Sequence, residues 1–155
     1  MPRSNRPRAN SIVIHCSDST WGDASVIRGW HTDPRPRGRG WSDIGYHAVI
    51  LNGHRHFTSS YAVASDGVLE RGRLPHVRGA HIGGLNARTL GICLIGEKAF
   101  STKQVATLKD VLRVWMAYYG VQTEDVFGHR ELDPRKTCPN FDVRAFMEEG
   151  APWRT

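Results

Sequence analysis

Metal-binding side chains near the C-terminus are the part of this chain best suited to chemistry. His129 and Cys138 lie nine positions apart in the turn-forming segment 128–139, and they offer an imidazole nitrogen and a thiolate. Lys136, two residues before the cysteine, adds a positive charge. A catalytic zinc usually takes three protein ligands and leaves one position for water. His15, far upstream, is the candidate for the third ligand, and the two segments would form a zinc hydrolase site if they meet in space.

The same residues also have structural interpretations. His15 stands at the end of an apolar run, where a histidine can be a hydrogen-bonded core residue, and the chain holds eight histidines, so a His/Cys spacing can be a coincidence. Cys138 is harder to explain by packing, because it lies in a loop where a nearby lysine would favour the thiolate. Taken alone, these residues leave metal binding and packing both open.

Size and charge limit the classes of protein that this chain can be. With 155 residues, of which 39% are hydrophobic, it is long enough for one domain with its own core. The net charge of +6 predicts an anionic partner, such as a cell envelope or a nucleic acid. Charge alone does not distinguish these two partners.

The three cysteines do not predict a disulfide framework, because their number is odd and they are scattered along the chain. Cys16 and Cys93 fall within apolar runs and are expected to be small buried residues. This usage is typical of a protein made in a reducing cytoplasm.

Four of the remaining histidines are interpreted as structural: His31 packs on the first helix, while His54, His56 and His76 occupy surface or hairpin positions.

The first nine residues are basic and carry no apolar core, so they predict a flexible arm rather than a secretory signal. No stretch approaches the roughly 20 apolar residues of a spanning helix. The arm is interpreted as a solvated terminus, with electrostatic adhesion to phosphate-rich polymers as the alternative.

Alternating strands and helices are predicted along the rest of the chain. The predicted strands are residues 11–16, 46–51, 54–59, 68–70 and 90–95, with 121–127 able to add a sixth. Asn52-Gly53 and Asp66-Gly67 are predicted as hairpin turns. Three helices are expected: one capped by Asp23, one from a Ser101/Gln104 capping box to Gly120, and a last one from Asp142 to Glu149. The prediction is a single α/β domain, residues 10–155, with a mixed sheet of about five or six strands and about three helices.

Four ordered blocks resemble one known family and span nearly the whole chain. They are I-V-I-H-C-S at 12–17, G-W-S-D-I-G-Y-H at 40–47, G-A-H at 79–81 with Asn86 and L-G-I-C-L-I-G at 90–96, and the segment 128–139. The chain resembles the zinc-dependent N-acetylmuramoyl-L-alanine amidases of the amidase type 2 superfamily, which includes the peptidoglycan recognition proteins. Within that superfamily it is similar to single-domain phage endolysins of the T7 lysozyme type.

This resemblance implies a role for individual residues. One catalytic Zn²⁺ would be held by His15, His129 and Cys138, with Tyr46 and Lys136 as the catalytic side chains. Lys136 would stabilise the oxyanion, and the Tyr46 hydroxyl would orient the water or donate to that oxyanion. The route of the proton is left unassigned. His47 and His81 are expected beside the metal ligands or in the substrate groove, and Asn86 is expected to be structural or to face the substrate.

The resemblance also implies a biological role. A cysteine as third ligand, with Tyr46 and Lys136 present, favours an active endolysin that cleaves the amide between N-acetylmuramic acid and L-alanine in bacterial peptidoglycan. We expect a monomer made in the host cytoplasm without a signal peptide, reaching the cell wall after the membrane is permeabilised. The basic arm and the basic loop 34–40 would contact anionic envelope polymers. The stretch 52–70 is longer than the usual hairpin of the family.

Two other classes of function remain as alternatives. One is a non-catalytic peptidoglycan-binding module, which the complete ligand set disfavours. The other is a basic nucleic-acid-binding protein that would use the arginines of the arm and of the 34–40 loop, namely Arg3, Arg6, Arg8, Arg35, Arg37 and Arg39. No helix-turn-helix or zinc-finger spacing supports this second alternative.

Overall fold

A five-stranded mixed sheet forms the centre of the molecule. In this computed structural model, residues 9–149 are described, so most of the predicted basic arm lies outside them. The strands are β1 (Ser11–Cys16), β2 (Ala48–Asn52), β3 (Asp66–Arg71), β4 (Thr89–Leu94) and β5 (Val126–Gly128), in the spatial order β3-β2-β4-β1-β5. β3 is antiparallel to β2, and the other neighbouring pairs are parallel. The predicted single-domain mixed α/β fold is thus confirmed, with five strands.

In the described part of the chain, four α-helices cover the sheet: α1 (Ala24–Thr32), α2 (Thr102–Tyr119), α3 (His129–Leu132) and α4 (Val143–Glu148). The three predicted helices are present with their predicted caps, including the Ser101/Gln104 capping box and the left-handed Gly120. The fourth helix, α3, is a single turn that the sequence patterns did not predict. Within residues 9–149, no helix is long and apolar enough to cross a bilayer.

Alternating strand residues pack on two sides of the sheet. Ile12 and Ile14 of β1 join the cluster that includes Leu108 and Leu112 of α2, whereas Val49 and Leu51 of β2 join the cluster that includes Ile27 of α1. β1 and β4 are central strands of this three-layered arrangement and are buried almost throughout. Buried parallel strands of this kind appear in a sequence as continuous apolar runs.

The predicted strand 54–59 is wrong. Residues 53–65 form an irregular loop, in which the Ser59 Oγ donates to the His56 carbonyl and accepts from the His56 N–H. Such local side-chain bonds compete with a strand ladder for backbone groups. The loop is also tied down by Arg55, which forms ion pairs with Asp23 and Glu70. The predicted hairpin at Asp66-Gly67 is wrong as well, because these residues begin β3.

The last strand is shorter than predicted. Of residues 121–127, only Val126 and Phe127 belong to β5, and Thr123–Asp125 forms a 3₁₀ turn instead. Val121 closes the end of α2, because its N–H donates to the Met116 carbonyl at 3.0 Å. The Arg144 guanidinium donates to the Thr123 carbonyl at 3.0 Å and so holds the turn against α4.

Candidate metal centre and active site

Three predicted ligands meet at one edge of the sheet. β1 and β5 are parallel neighbours paired as Ile14↔Gly128, so the residues that follow, His15 and His129, lie side by side. The centroids of their rings are 4.6 Å apart. Cys138 joins them from the loop after α3, and the possible ligand atoms of the three side chains all lie within 4.8 Å of one another.

The loop that carries Cys138 is tied to both histidine-bearing elements. The Arg130 N–H at the start of α3 donates to the Cys138 carbonyl at 2.8 Å. The Cys16 N–H at the end of β1 donates to the Cys138 sulfur at 3.1 Å. The hydrogen bond with the Cys16 thiol and burial raise the pKa of the Cys138 thiol, so a bound cation is what would favour its thiolate.

Hydrogen bonding determines which nitrogen of His15 is available to a metal. His15 Nε2 lies 2.9 Å from His81 Nδ1, and His81 Nε2 lies 3.2 Å from Thr89 Oγ1, which donates onward to the Leu85 carbonyl at 2.9 Å. Because Thr89 uses its proton on Leu85, it accepts from His81, which in turn accepts from His15 Nε2–H. The lone pair on Nδ1 of His15 is then left for a metal.

Burial keeps these imidazoles neutral, as metal ligands and their partners must be. It is the main cause that lowers the pKa of His15 well below its ordinary value, with His81 and His129 adding to the effect. Burial also lowers the pKa of His81 to about 3. The pKa of His129 is lowered by burial and then by the charge of Lys136.

Glycine makes room for the histidine chain. A Cβ at residue 91 would lie 2.7 Å from Cγ of His81, so a side chain larger than hydrogen would displace the ring. Asn86 holds the main chain at His81, because its Oδ1 accepts from the N–H groups of His81 and Ile82, both at 2.9 Å. The motif glycine at 91 therefore has a steric reason within this fold.

The predicted catalytic side chains share a pocket with His129. This pocket of about 310 Å³ is lined by Tyr46 and Lys136, and also by His81 and Asn86. The ring of Tyr46 lies 5.0 Å from that of His15. Burial raises the pKa of Tyr46 well above its ordinary value, so its hydroxyl stays protonated and can donate a hydrogen bond. Lys136 is exposed at the rim.

His47 is not one of the residues that line this pocket. It is buried, and its Nδ1 accepts from the Gly91 N–H at 3.0 Å while Nε2 donates to the Val77 carbonyl at 2.8 Å. Both ring nitrogens are thus used by the main chain. Substrate contact by His47 stays a prediction, and its visible contacts support β4 and the loop before His81.

The pocket residues that the sequence patterns did not predict include His31, Arg39 and Trp41. His31 was expected only to pack on α1, although its position four residues after Ile27 on the buried face of that helix was a usable signal. Burial, with Arg39 and Arg73 nearby, lowers the pKa of His31 to about 4. Its Nδ1 accepts from the Gly45 N–H at 2.9 Å, which leaves the proton on Nε2.

The donor set fits zinc. Two imidazoles and a thiolate, with room for water beside them, match the chemistry of a catalytic zinc centre. Ligand atoms around a tetrahedral zinc would lie roughly 3.5 Å apart, and the observed limit of 4.8 Å asks for only a small contraction. His81 supplies the second layer of hydrogen bonding that metal-binding histidines usually have. Fold and site define an α/β domain with a candidate mononuclear zinc centre.

The chain belongs to the N-acetylmuramoyl-L-alanine amidase family (Amidase_2), which matches residues 4–141. It is 30% identical over 156 residues to the endolysin of Escherichia phage T7, covering 93% of this chain and 89% of that protein. The endolysin of Enterobacteria phage K11 is 28% identical, over 95% of this chain and 91% of that protein. The chain is therefore an amidase of this family.

Solved structures share the fold. The N-acetylmuramoyl-L-alanine amidase LysC from Clostridium intestinale URNW has a TM-score of 0.73 and 28% identity, covering 96% of this chain and 91% of that chain. Drosophila PGRP-LB has a TM-score of 0.67 at 22% identity, covering 96% of this chain and 83% of that chain. At that identity, the second likeness shows a common fold alone.

Proposed function

We propose that this protein is a zinc-dependent endolysin that hydrolyses the amide between N-acetylmuramic acid and L-alanine in peptidoglycan. The observation that carries the proposal is the convergence of His15, His129 and Cys138 beside a pocket that also holds Tyr46 and Lys136. Membership of the amidase family and the similarity to phage endolysins supply the substrate class.

The three ligands would hold one zinc ion, with Nδ1 of His15 facing it. The chemistry that zinc would supply in such a centre is Lewis acidity. It would polarise the amide carbonyl and lower the pKa of the attacking water, so that the water can be deprotonated near neutral pH. His81 and Thr89 act as positioning residues, because their hydrogen bonds keep the proton of His15 on Nε2.

Lys136 and Tyr46 act on the substrate. As water adds to the carbonyl carbon, negative charge develops on the carbonyl oxygen, and the Lys136 ammonium at the rim stabilises it. The protonated Tyr46 hydroxyl, close to His15, donates a hydrogen bond to the attacking water or to the same oxygen. Over the whole reaction, the proton that the attacking water loses goes to the leaving nitrogen of L-alanine, and Tyr46 and Lys136 line the pocket in which this transfer would take place.

The site of action follows from the substrate. As an endolysin, the protein would act on the cell wall after the membrane is permeabilised, as a monomer. The loop of residues 34–40 carries exposed Arg35 and Arg37, which suit contact with anionic envelope polymers. The basic arm, which would assist in the same contact, lies outside the described residues.

Digestion of purified peptidoglycan tests the proposal. Mass spectrometry should find new free L-alanine amino termini and no new reducing sugar ends, and a chelator should stop the reaction until zinc is restored. New reducing ends would instead identify a glycosidase. Binding of muropeptides with no product at all would favour a non-catalytic module.

A further inference from the structure

The rim of the pocket carries an arginine that has no acidic partner. None of the ion pairs formed among residues 9–149 includes Arg39, whereas Arg28, Arg55 and Arg144 are each paired with a carboxylate. The Arg39 guanidinium lies 5.0 Å from the centroid of the Trp41 ring, and both residues line the pocket. An unpaired guanidinium held over an aromatic face can offer its N–H groups to a ligand.

The main chain around Arg39 is firmly held. The N–H groups of Arg39 and Trp41 donate to the Trp30 and His31 carbonyls at the end of α1, at 3.1 and 2.8 Å. Residue 38 must be glycine, because a Cβ there would lie 2.4 Å from the Asp33 carbonyl oxygen. The loop therefore fixes the position from which the Arg39 side chain extends, which reduces the entropy lost when a ligand binds.

Arg39 lies away from the reacting bond. A row of ring contacts leads from the metal centre to it: His15 to Tyr46 at 5.0 Å, Tyr46 to His31 at 5.6 Å, and His31 to Trp41 at 4.8 Å. An extended peptide advances roughly 3.3–3.6 Å per residue. With the scissile amide at the metal, the residues that follow L-alanine would be the ones to reach Arg39.

Charge in the pocket favours an anion at this end. Of the ionised side chains that line it, Lys136 serves the reaction and Asp133 is bound by Arg135 at 2.9 and 3.0 Å, which leaves Arg39 for the substrate. Peptide stems of peptidoglycan carry a glutamate after L-alanine, whose α-carboxyl group is free in some walls and amidated in others. A carboxylate matches the planar fork of a guanidinium, and a neutral amide does not.

We propose that Arg39 binds a carboxylate of the peptide stem beyond L-alanine and makes the enzyme prefer acidic stems to amidated ones. This inference rests on the proposed amidase function. Arg39 acts as a specificity residue: it touches the stem, not the bond that breaks.

Two synthetic compounds that differ in one group test this role: the γ-methylamides of N-acetylmuramoyl-L-alanyl-D-glutamic acid and of its α-amide, the D-isoglutamine compound, so that the α-carboxylate is the one stem carboxylate and only the acid has it. The zinc-loaded wild type should show a kcat/KM about tenfold higher for the acid, mainly through KM. Arg39→Gln should bring this ratio close to one, and Arg39→Lys should keep part of it. Arg37→Gln removes the same charge from an exposed residue outside the pocket lining and should retain the wild-type ratio.

Equilibrium binding of both compounds by calorimetry separates the two proposals. If the wild type hydrolyses neither compound nor peptidoglycan, the amidase function fails, and the ratio of the two dissociation constants still tests Arg39. Equal kcat/KM values and equal dissociation constants of the wild type for the acid and the amide would overturn the role of Arg39. So would an Arg37→Gln variant that loses the preference as Arg39→Gln does, because the effect would then be one of general charge.

Discussion

Two parts of the candidate site differ in how their residues are held: the proposed metal side, formed by His15, His129 and Cys138 with His81 and Thr89 behind them, and the proposed substrate side, formed by Lys136 and Arg39. His15, His81 and Thr89 are buried on or next to central strands. Both ring nitrogens of His81 and the Thr89 hydroxyl are engaged in hydrogen bonds, and His15 keeps only Nδ1 for a metal. Lys136 and Arg39 stand on loops at the rim, are exposed, and form no ion pair within residues 9–149. The first group is restrained by burial and hydrogen bonds, whereas the second is exposed and can adjust its side chains to a ligand.

This difference separates two tasks. A metal centre needs ligands that are neutral or anionic, fixed in orientation and shielded from competing protons, and burial provides all three conditions. Charged side chains that act on an anionic substrate must stay hydrated until it binds and must be able to move toward it. Exposed positions on loops, such as those of Lys136 and Arg39, meet both conditions. Substitutions on the metal side should therefore change zinc affinity and stability, while those on the substrate side should change kcat or KM and leave zinc affinity and stability unchanged.

Removal of a ligand should have the largest effect. Cys138→Ser is expected to abolish hydrolysis, with a loss well above the ~100-fold typical of outer hydrogen-bond partners, and to leave little bound zinc. A chelator should lower the unfolding temperature of the wild type, because metal binding stabilises the folded state. The same chelator should leave Cys138→Ser unchanged. Peptidoglycan turbidity, zinc content by mass spectrometry and thermal unfolding measure these effects.

Cys93→Ala is the control for that experiment. This buried cysteine lies in β4 outside the ligand cluster, so the variant should keep its zinc. Full hydrolytic activity in zinc-free wild-type protein would contradict the metal mechanism.

Lys136→Ala should have the next largest effect and should separate loss of hydrolysis from loss of zinc. We expect hydrolysis to fall by roughly 100- to 1000-fold, as when one donor to an oxyanion is removed. Zinc content and unfolding temperature should stay at wild-type values, because the side chain is exposed at the rim. Arg130→Ala, an exposed charge on α3, serves as the control and should keep its activity. A wild-type rate in Lys136→Ala would refute the oxyanion role.

Thr89→Val tests whether the hydrogen bond between His81 and Thr89 contributes to zinc affinity. Valine nearly matches threonine in shape but cannot accept the hydrogen bond from His81 Nε2. His15 then loses part of the restraint on its tautomer, and we expect zinc to bind about tenfold more weakly. Competition with a chromogenic chelator would measure this.

Thr107→Val is matched to that change, because the Thr107 hydroxyl donates to the Gly67 carbonyl far from the metal centre. Both variants should lose some stability, but Thr89→Val alone should lose zinc affinity. Equal zinc affinities in the two variants would reduce the His81–Thr89 contact to a purely structural one.

Local signals in the sequence predicted much of the fold. Asp23, Ser101 and Asp142 cap their helices as expected, since a cap depends on a few adjacent residues. The same approach failed for residues 54–59, where serine hydroxyls and the ion pairs of Arg55 satisfy groups that a strand would otherwise use. Apolar periodicity does not report such competition.

The candidate site was predictable only where a motif carries it. His15, Tyr46, His129, Lys136 and Cys138 lie in three of the four ordered blocks, and the structure gathers them at one place. The contact of His15 with His81, by contrast, depends on β1 pairing with β4 and on the space above Gly91, neither of which a short pattern contains. The sequence places Arg39 only among the arginines of the basic loop 34–40, because its position on the pocket rim depends on how that loop docks on α1.

Acid sensitivity provides the smallest expected effect and tests whether burial extends to His31. Its pKa is lowered to about 4 in the folded protein by burial and by Arg39 and Arg73, whereas the unfolded value is ~6.5. Above pH ~6.5 the ring is neutral in both states. Below it, the unfolded chain takes up a proton that the folded protein refuses, so stability falls until about pH 4.

His31→Gln removes this proton uptake and keeps an acceptor for the Gly45 N–H. Because the ring also faces the pocket, we expect the loss of unfolding free energy between pH 7 and pH 5 to shrink by about 1 kcal/mol. Urea unfolding at both pH values measures it, with His76→Gln, an exposed histidine, as the control. An identical pH response in the two variants would mean that His31 takes up a proton as a solvent-exposed histidine does. The part of the site that is shielded from water would then extend to Tyr46 but not to His31.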